Sequence, residues 1–413
     1  MEYQQMLQDR KTRGMDILKN FKLSFLGNFE WKVPSQSSMT FYTVKFDRHK
    51  HIMNCNCPDF TNRRIMCKHL CAVEYMLTKE TDREGNVTIT QTKRITYSQN
   101  WSAYDKSQIS QKEMFLELLN DLCKGIPNPT YVFGRPTLPI SDMIFSSALK
   151  VFTTFSLRRF ETDMRTAKEK GYVDKVPCFA SVGHFIQSEE LTPIIKQLIK
   201  LSALPLKAVE TDLTIDASGF STSRFDRWFN FKYGKQTERR IWIKAHLMSG
   251  TKTNIVTSCE VTTSFEHDTK FLKPLLTETV ENFQVKELSA DMGYSSSENL
   301  QFIVDNNAEP YIPFKSNTKA TTTAHSPKIW RKMFHYFMFN QEEFLKHYHK
   351  RSKAETVFHM IKSKFGDSVR SKTQTAQINE VLLKILCHNI CVVIQEINEL
   401  GIEPNFCVES KEN

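Results

Sequence analysis

Three carboxylates in the second half of the chain have the types and positions that metal-dependent chemistry requires. Asp216, in TIDASGF, ends the first predicted strand of an α/β pattern, and Asp291, in SADMGY, ends the fourth. Glu355 is the lone acid of a basic helical stretch, YHKRSKAETVFHMIK. Strand-end and helix carboxylates in this order can converge on one point. Taken alone, each aspartate is explained as a cap or loop residue, and Glu355 as an ion-pair partner of Arg351 or Lys362.

Three crowded carboxylates repel one another and need nearby cations. Hard oxygen ligands favour Mg²⁺ or Mn²⁺. Two such ions, about 3.5–4 Å apart, activate a water or a 3′-hydroxyl and stabilise the leaving oxygen of an in-line phosphoryl displacement. A lone acid inside a basic stretch is then explained, because the bases hold a polyanion against the metal ions.

The helix around Glu355 has two distinct sides. At 100° per residue, Tyr348, Arg351, Glu355 and Lys362 fall within a stripe of about 60°. An apolar stripe lies about 100° further round the helix and consists of Ala354, Val357, Phe358, Ile361 and Phe365. We therefore expect the apolar side to dock and the polar stripe to stand at the edge of that contact.

Other acids compete for the same roles. Glu210 and Asp212 are alternatives to Asp216, and Glu342 and Glu343 are alternatives to Glu355. The set of Asp216, Asp291 and Glu355 is preferred because it satisfies the strand-end and helix-stripe geometry together.

A second group of residues, nearer the N-terminus, has metal-ligand spacing. Cys55-x-Cys57 and, nine residues later, Cys67-x-His69 supply three thiolates and one imidazole, the donor set of a tetrahedral structural zinc site. A segment this short buries too little surface to fold alone, so the ion would supply the stability. Scattered buried cysteines beside a surface histidine are the alternative.

The cysteine spacing resembles that of the SWIM zinc finger. An aromatic-x-Val pair (Tyr42, Val44) precedes the first cysteines, Pro-Asp-Phe (58–60) follows them, and an apolar helix follows His69. The resemblance implies a structural Zn²⁺ and a module that binds DNA or protein.

Bulk composition bounds the class of protein. The chain has 413 residues, a net charge of +10 and a pI near 9, which suits a polyanionic partner. No signal-peptide pattern is visible at the N-terminus, and polar residues interrupt the apolar region Val381–Ile397, so it predicts a core helix and no membrane partner. The cysteines outside the zinc-like cluster are predicted to be buried free thiols in a reducing cytoplasm.

The order of elements after residue 205 predicts a mixed α/β domain: three strands, helix, strand, helix, strand and a terminal helix. The chain divides into a leader (1–30), a zinc finger (31–80), a linker and helix with a hairpin near Gly85 (81–134), a helical block (135–205), a catalytic domain (206–400, with an insertion at about 317–345) and a tail (401–413).

Three features suit DNA but have plainer explanations. The helical block is either a helix-turn-helix DNA-binding domain or a packing domain. An aromatic and basic stretch at 225–240 suits a strand edge over DNA, although such aromatic residues are also typical of a core. Trp330 either stacks on an unpaired base or anchors the packing of the insertion.

The spacing Tyr348-x₂-Arg351-x₃-Glu355-x₆-Lys362 resembles the Y-R-E-K signature of insertion-sequence DDE transposases. DASGF and ADMGYSS resemble that family's motifs around its two aspartates, and GRPTLPISD, PLKAVE and PYIPFKSN resemble its SWIM-bearing branch. The likeness covers about residues 40–395. Ala217 and Met292 stand where relatives are expected to have Ser and Lys, a departure that removes no ligand.

This resemblance implies an RNase H-like catalytic domain, a mixed sheet flanked by helices, preceded by the zinc finger and the helical block. It implies two Mg²⁺ or Mn²⁺ ions on Asp216, Asp291 and Glu355. The DNA backbone would be contacted by Tyr348, Arg351, Lys362 and Lys315. The implied partners are the element's inverted repeats, target DNA and a second copy of the chain, in a prokaryotic cytoplasm at the nucleoid. A transposase-derived DNA-binding regulator and a nuclease without joining activity are the alternatives.

Overall fold

The computed structural model describes the chain outside residues 1, 22, 28–29, 37–39, 48–51, 64–65, 82–86, 92–99, 129–137, 223–241, 264, 316–317, 319–327, 405 and 407–413. The aromatic and basic stretch at 225–240 therefore lies outside the described residues. The chain forms two compact units, Met1–Ser98 and Gln99–Asn413.

The first unit is built on a four-stranded antiparallel sheet whose strands follow one another in chain order. Its strands are β1 (Ser24–Gly27), β2 (Glu30–Pro34), β3 (Phe41–Asp47) and β4 (Ile52–Cys55). Its helices are α1 (Glu2–Asn20), α2 (Pro58–Arg63) and α3 (Lys68–Met76). Strands β5 (Leu77–Thr81) and β6 (Val87–Gln91) then pair antiparallel, as expected for a hairpin, and the predicted turn near Gly85 lies outside the described residues.

Helix α1 packs against α3, so the segment that the sequence suggests is a leader is part of this unit. Ile17 is fully buried in the unit's core. A Cβ atom on Gly14 would lie 2.7 Å from Cβ of Cys71, so only glycine allows this close approach. Arg10 pairs with Asp59 of α2 at 2.9 Å. The sequence does not predict this packing, because α1 is mostly polar and the buried Ile17 alone gives little apolar periodicity.

The second unit contains a five-stranded mixed sheet in the order β11-β10-β7-β8-β9. Its strands are β7 (Asp212–Ser221), β8 (Trp242–Gly250), β9 (Val256–Thr263), β10 (Glu287–Ala290) and β11 (Glu309–Tyr311). The first three are antiparallel, and β10 and β11 run parallel to β7. This arrangement confirms the predicted mixed sheet flanked by helices, as an RNase H-like fold requires.

Helices cover both faces of this sheet. Before it in the chain come α4 (Trp101–Ile109), α5 (Gln111–Lys124), α6 (Ile140–Phe152), α7 (Glu161–Glu169), α8 (Phe179–Phe185) and α9 (Leu191–Ala203). Within and after it come α10 (Leu272–Val280), α11 (Ser297–Asp305), α12 (Lys328–Phe339), α13 (Gln341–Tyr348), α14 (Ser352–Phe365) and α15 (Gln374–Leu400).

Alternate residues of the strands point into two different cores. Ile243, Ala245 and Leu247 of β8 enter one core, whereas Met248 and Ile215 enter the other. Successive side chains of a strand point to opposite faces of the sheet, so a sheet covered on both sides gives long apolar runs. The near-continuous burial of β8 follows from this.

The helical block shares the first core with the sheet. Phe145 of α6 and Ile195 of α9 are fully buried or nearly so in the same cluster as Leu386 and Ile390 of α15. The predicted insertion contributes Phe334 and Phe344 to the second core, and Trp330 packs edge-on against Phe314 with ring centres 4.8 Å apart. That contact favours the packing role predicted for Trp330.

Helix α15 is long and apolar enough to cross a membrane by length and composition, but 83% of its most apolar window is buried inside the protein. Its polar residues are satisfied there: Asn389 accepts from the Val256 N–H at 2.9 Å and donates to the Val256 carbonyl at 2.7 Å. These contacts are those of a core helix.

The prediction that every remaining cysteine is a buried thiol is wrong for Cys178. Cys71, Cys123, Cys259 and Cys387 are buried, Cys391 is partly buried and Cys178 is exposed, and none of them forms a disulfide in the described chain. Cys407 lies outside the described residues. Cys178 is the residue that precedes the first turn of α8, a position at the surface that the sequence pattern alone does not distinguish from a core position.

Candidate active site and metal centre

Two of the predicted carboxylates come from neighbouring strands. Parallel pairing of β7 with β10 ends at Ile215 and Ala290, so Asp216 and Asp291 follow side by side. Asp291 lies directly after β10, as predicted. The prediction that Asp216 ends its strand is wrong, since β7 continues to Ser221 by pairing with β8. Only the parallel pairing with β10 stops just before Asp216, so β7 and β10 separate from that residue onward.

The third carboxylate comes from α14. We predicted one continuous helix from Tyr348 to Lys362, and the structure corrects this: α13 ends at Tyr348 and residues His349–Arg351 form a 3₁₀ turn before α14 starts. Glu355 lies in the first turn of α14. The predicted apolar side of α14 is confirmed in full by its buried residues, Ala354, Val357, Phe358, Ile361 and Phe365.

Arg351 joins the three carboxylates at one place. Its guanidinium nitrogens lie 3.4 Å from Oδ2 of Asp216, 3.9 Å from Oδ2 of Asp291 and 3.2 Å from Oε1 of Glu355. The side chain of Asp216 is 17% exposed, those of Asp291 and Glu355 are 50% and 63% exposed. The cluster therefore has a buried base and an open solvent side.

Backbone amides hold one oxygen of each aspartate. Oδ1 of Asp216 accepts the Ala217 N–H at 2.9 Å, and Oδ1 of Asp291 accepts the Met292 N–H at 2.6 Å. The Oδ2 atoms are the ones that face Arg351. Each aspartate therefore presents one oriented oxygen to whatever cation occupies the centre of the cluster.

Electrostatics within the cluster favour such a cation. Burial raises the pKa of Asp216, and the charges of Asp291 and Glu355 add to the rise, while the Ala217 N–H and Arg351 oppose it. A single guanidinium faces three carboxylates, so negative charge is in excess. An all-oxygen, partly solvated ligand set of this kind suits Mg²⁺ or Mn²⁺ by its chemistry. Among the described residues, however, the group whose ligand atoms lie within reach of one ion is the cysteine–histidine cluster and not these carboxylates.

The remaining predicted site residues differ in placement. Tyr348 is half-buried beside the cluster, and burial raises its pKa. Lys362 donates to Oγ of Ser218 at 2.6 Å and lies over the ring of Phe220 at 5.2 Å from its centre. Burial lowers the pKa of Lys362. Lys315 is exposed, and in the described part of the chain its one contact is a backbone hydrogen bond from Thr318, so the structure does not bring it to the cluster.

The competing acids near the first aspartate have other partners. Glu210 is fully buried, and its carboxylate accepts from the N–H and Oγ of Thr253 at 2.5 and 2.7 Å. It fits there only because residue 250 is a glycine, where a Cβ would come within 2.2 Å of Cδ of Glu210. Asp212 pairs with Lys350 at 2.7 Å.

The competing acids near Glu355 lie on the preceding helix. Glu342 is exposed, and Glu343 pairs with Lys346 at 2.6 Å. Ion pairing with Lys346 lowers the pKa of Glu343. Neither acid takes part in the contacts described around Arg351.

Sequence reasoning missed a clamp beside Arg351. Lys350 donates to Oδ2 of Asp212 at 2.7 Å and to Oε2 of Glu287 at 2.6 Å, at the first residues of β7 and β10. Glu287 also contacts Nδ1 of His347 at 2.9 Å. Burial works against the charge on Lys350, but the two carboxylates raise its pKa. The turn that carries Arg351 is thereby fixed to the two aspartate-bearing strands.

The four predicted zinc ligands lie together in the first unit. Cys55 ends β4, Cys57 precedes α2, and Cys67 and His69 stand at the start of α3. All four are buried, and their ligand atoms lie within 4.8 Å of one another. Nδ1 of His69 is 4.0 Å from Sγ of Cys55 and 3.9 Å from Sγ of Cys67. One ion with bonds of about 2.0–2.3 Å can reach all four atoms.

Hydrogen bonds and burial shift the pKa values of the three thiols in this cluster. The hydrogen bond from Cys55 lowers the pKa of Cys67 to about 4, while that bond and burial raise the pKa of Cys55. Burial raises the pKa of Cys57, against a 3.4 Å hydrogen bond from the Phe60 N–H. A tetrahedral Zn²⁺ on three thiolates and one imidazole fits this donor set.

Comparison with known families matches both sites to established models. Residues 207–390 match the transposase DDE domain, and residues 54–77 match the SWIM zinc finger. No curated protein and no solved structure matches the chain significantly. The first match contains all three clustered carboxylates and Arg351, and the second contains all four cysteine and histidine ligand candidates.

Proposed function

We propose that this chain, which contains a transposase DDE domain at residues 207–390 and a SWIM zinc finger at residues 54–77, cleaves DNA at the ends of a mobile element and joins the freed 3′-hydroxyl to target DNA. The domain itself supports DNA cleavage and transposition in general. The observation that supports the finer proposal is the gathering of Asp216, Asp291 and Glu355 around one guanidinium.

In this proposal the three carboxylates hold two divalent ions, Mg²⁺ or Mn²⁺. Bound there, the ions would supply Lewis-acid stabilisation and a nucleophile at neutral pH. In Asp216 and Asp291 a backbone N–H holds Oδ1, and this hydrogen bond orients Oδ2. The Oδ2 oxygens would be the metal ligands. Glu355, the most exposed of the three, closes the ligand set from the helix side.

Arg351 then has two roles. Without DNA its guanidinium offsets part of the carboxylate repulsion. With DNA it is free to donate to a backbone phosphate beside the scissile bond, since a guanidinium binds phosphate in a planar, bidentate manner. Tyr348 and Lys362 flank it on the same surface, and Lys315 would contact DNA farther away.

The zinc finger serves recognition rather than chemistry in this proposal. Cys55, Cys57, Cys67 and His69 hold one Zn²⁺ in a closed site, so no ligand position is left for a substrate. The finger would contact DNA or a protein partner, and two copies of the chain would pair two element ends in the cytoplasm, at the nucleoid.

The test is metal-dependent cleavage of a labelled duplex that carries the element end. Glu355→Gln should lose cleavage in Mg²⁺ and in Mn²⁺ by about 10³-fold or more, since metal stabilisation contributes several kcal/mol, yet keep end binding in a mobility-shift assay. Glu343→Gln removes the same charge from the neighbouring helix and should cleave normally. Full cleavage by Glu355→Gln would refute the assignment.

A strand-transfer assay separates transposase from nuclease. Incubation of the pre-cleaved end with plasmid DNA should give joined products. Cleavage without joined products would leave a nuclease, and end binding without either reaction would leave a DNA-binding regulator.

A further inference from the structure

A cavity of about 230 Å³ lies in the second unit, away from the three carboxylates. It is lined by the end of α6, the end of α14, the loop that follows, and α15, and it is open to the surface on one side. The charged residues among the described residues that line it are Lys150, Lys364, Arg370, Lys384 and Glu380. Four cations thus face one acid across a space much larger than the roughly 30 Å³ that one water occupies.

Lys384 is the deepest of these cations, with 2% exposure. In the part of the chain that the structure describes, its hydrogen bonds go to the carbonyls of Gly366 and Ser368, at 3.0 and 2.8 Å. An ammonium has three N–H donors, so these two carbonyls leave one, and the Phe220 ring lies 5.5 Å away. Burial, with Lys150 and Arg370 nearby, lowers the pKa of Lys384 to about 8, against the attraction of Glu380.

The single lining acid is largely occupied. Glu380 accepts from the N–H groups of Arg370 and Ser371 at 2.9–3.0 Å and from Oγ of Ser371 at 2.7 Å. Its carboxylate thus caps the backbone of the loop. It attracts the cations at longer range, as Asp367 of the same loop also does, but its oxygens are directed at the loop amides. The four cations still outnumber these two acids.

The cavity wall also contains backbone strain. Thr154, one of its lining residues, has φ of 56°. A β-branched residue in this left-handed region is a genuine outlier, and such strain concentrates at binding and active sites.

The cavity adjoins the surface that carries Lys362. The Lys362 and Lys384 ammonium groups both lie over the ring of Phe220, at 5.2 and 5.5 Å from its centre. The loop below the cavity pairs with the end of β7, where Ser221 donates to the Asp367 carbonyl at 3.0 Å and accepts from the Val369 N–H at 2.9 Å. The loop thus links the cavity to the strand whose Ser218 contacts Lys362.

We propose that this cavity, lined by Lys150, Lys364, Arg370 and Lys384, is a phosphate-binding site distinct from the carboxylate cluster. Its ligand is a phosphate group, supplied either by a DNA backbone or by a free phosphorylated compound. Lys384 holds the buried oxygen. Lys364 and Arg370 are exposed and close over the outer ones, and Lys364 gives up its hydrogen bonds to Gln111 and Cys391 to do so.

The first arm of the test measures binding of inorganic pyrophosphate to the full chain by titration calorimetry. A free phosphate ligand predicts one saturable site that Lys384→Met weakens at least tenfold. Because Lys384 also supports the loop, the double variant Lys364→Gln/Arg370→Gln provides an independent check that leaves those two carbonyl bonds intact. Lys106→Gln/Lys124→Gln, two exposed cations of α4 and α5, removes the same charge elsewhere and should bind normally.

The second arm measures the salt dependence of duplex DNA binding by the same variants. If the phosphate belongs to DNA, Lys364→Gln/Arg370→Gln should lower the slope of log K against log salt by about 1–2 relative to the control pair, and pyrophosphate should compete with DNA. Saturable pyrophosphate binding with an unchanged DNA slope identifies a free compound. Absence of saturable pyrophosphate binding together with equal DNA slopes for both double variants overturns the proposal. Neither arm uses cleavage, so this site and the proposed active site can fail separately.

Discussion

The cysteine–histidine cluster and the carboxylate cluster differ in how the protein holds their ligands. All four residues of the first are buried, in a unit whose core is small. Two of the three carboxylates are half-exposed or more, on a sheet that has large cores on both faces. In the first unit the ligand residues are part of the small core. In the second unit the carboxylates lie at the solvent-exposed edge of a sheet that is already stabilised by two large cores.

The two donor sets suit different ions. Soft thiolates in a closed, dry site suit a structural Zn²⁺ that stabilises the fold. Oxygens open to solvent suit ions that must exchange water for substrate.

Removal of zinc should unfold the first unit and leave the second folded. Structural zinc contributes about 10 kcal/mol or more in small finger modules, and the first unit has few other large buried side chains. Chelation, or Cys67→Ser, should therefore abolish slow hydrogen exchange in residues 54–77, as read by mass spectrometry. The exposed Cys178→Ser is the control. Equal protection from hydrogen exchange with and without zinc would show that the first unit does not need the ion to fold.

Loss of a carboxylate of the second unit should abolish DNA cleavage without unfolding the protein. Asp216→Asn should lower cleavage by about 10³-fold or more. Its thermal stability should be unchanged or increased, because the native carboxylate is held against burial and repulsion that raise its pKa. Calorimetry on the same preparation checks this. A large drop in Tm would show that Asp216 supports the fold instead.

Acid should weaken the second unit through a buried histidine. His388 is 3% exposed and contacts the Asn254 carbonyl at 2.9 Å, and burial lowers its pKa to about 4. Between pH 6.5 and 4 the unfolded chain takes up a proton that the folded chain does not. Stability above pH 6.5 is therefore lost as pH falls through this window, by up to about 3 kcal/mol.

His388→Gln keeps a hydrogen-bond donor and cannot titrate. Urea unfolding at pH 7 and pH 4 should show a smaller loss of stability in this variant than in the native chain. Identical losses in both proteins would mean that His388 does not set the acid limit of this unit.

Disruption of the Lys350 clamp should have the smallest effect, but it should still lower cleavage at the proposed active site. Lys350→Met frees the turn that presents Arg351 and leaves Asp212 and Glu287 facing each other. Supporting contacts of this kind are worth about 10–100-fold in activity. Cleavage should fall by that factor, with partial recovery in Lys350→Arg. Lys346→Met, which breaks only the exposed pair with Glu343, should be silent.

Local patterns in the sequence predict a good part of this structure. The period of α14 correctly identified its five buried residues, and the strand and helix order of residues 206–400 gave the mixed sheet. The four-ligand spacing placed Cys55, Cys57, Cys67 and His69 together, because ligands separated by one residue within two short segments have little freedom to diverge.

Other features depend on contacts between distant residues and could not be predicted. The break at His349–Arg351 is fixed by Lys350 reaching strands more than 60 residues away, and no helix-breaking residue marks it. The burial of α1 depends on the absence of a Cβ atom at Gly14. The cation-lined cavity assembles Lys150, Lys364 and Lys384 from three helices, each of which reads alone as an ordinary helix lysine.

The most direct test of the central claim is the number of Mn²⁺ ions that the zinc-loaded chain binds with its DNA end, measured by electron paramagnetic resonance. Two ions per chain are predicted for the native protein, with loss of at least one in Asp216→Asn and in Glu355→Gln and no loss in Glu343→Gln. Unchanged Mn²⁺ binding in both of the first two variants would contradict the assignment of these carboxylates as ligands.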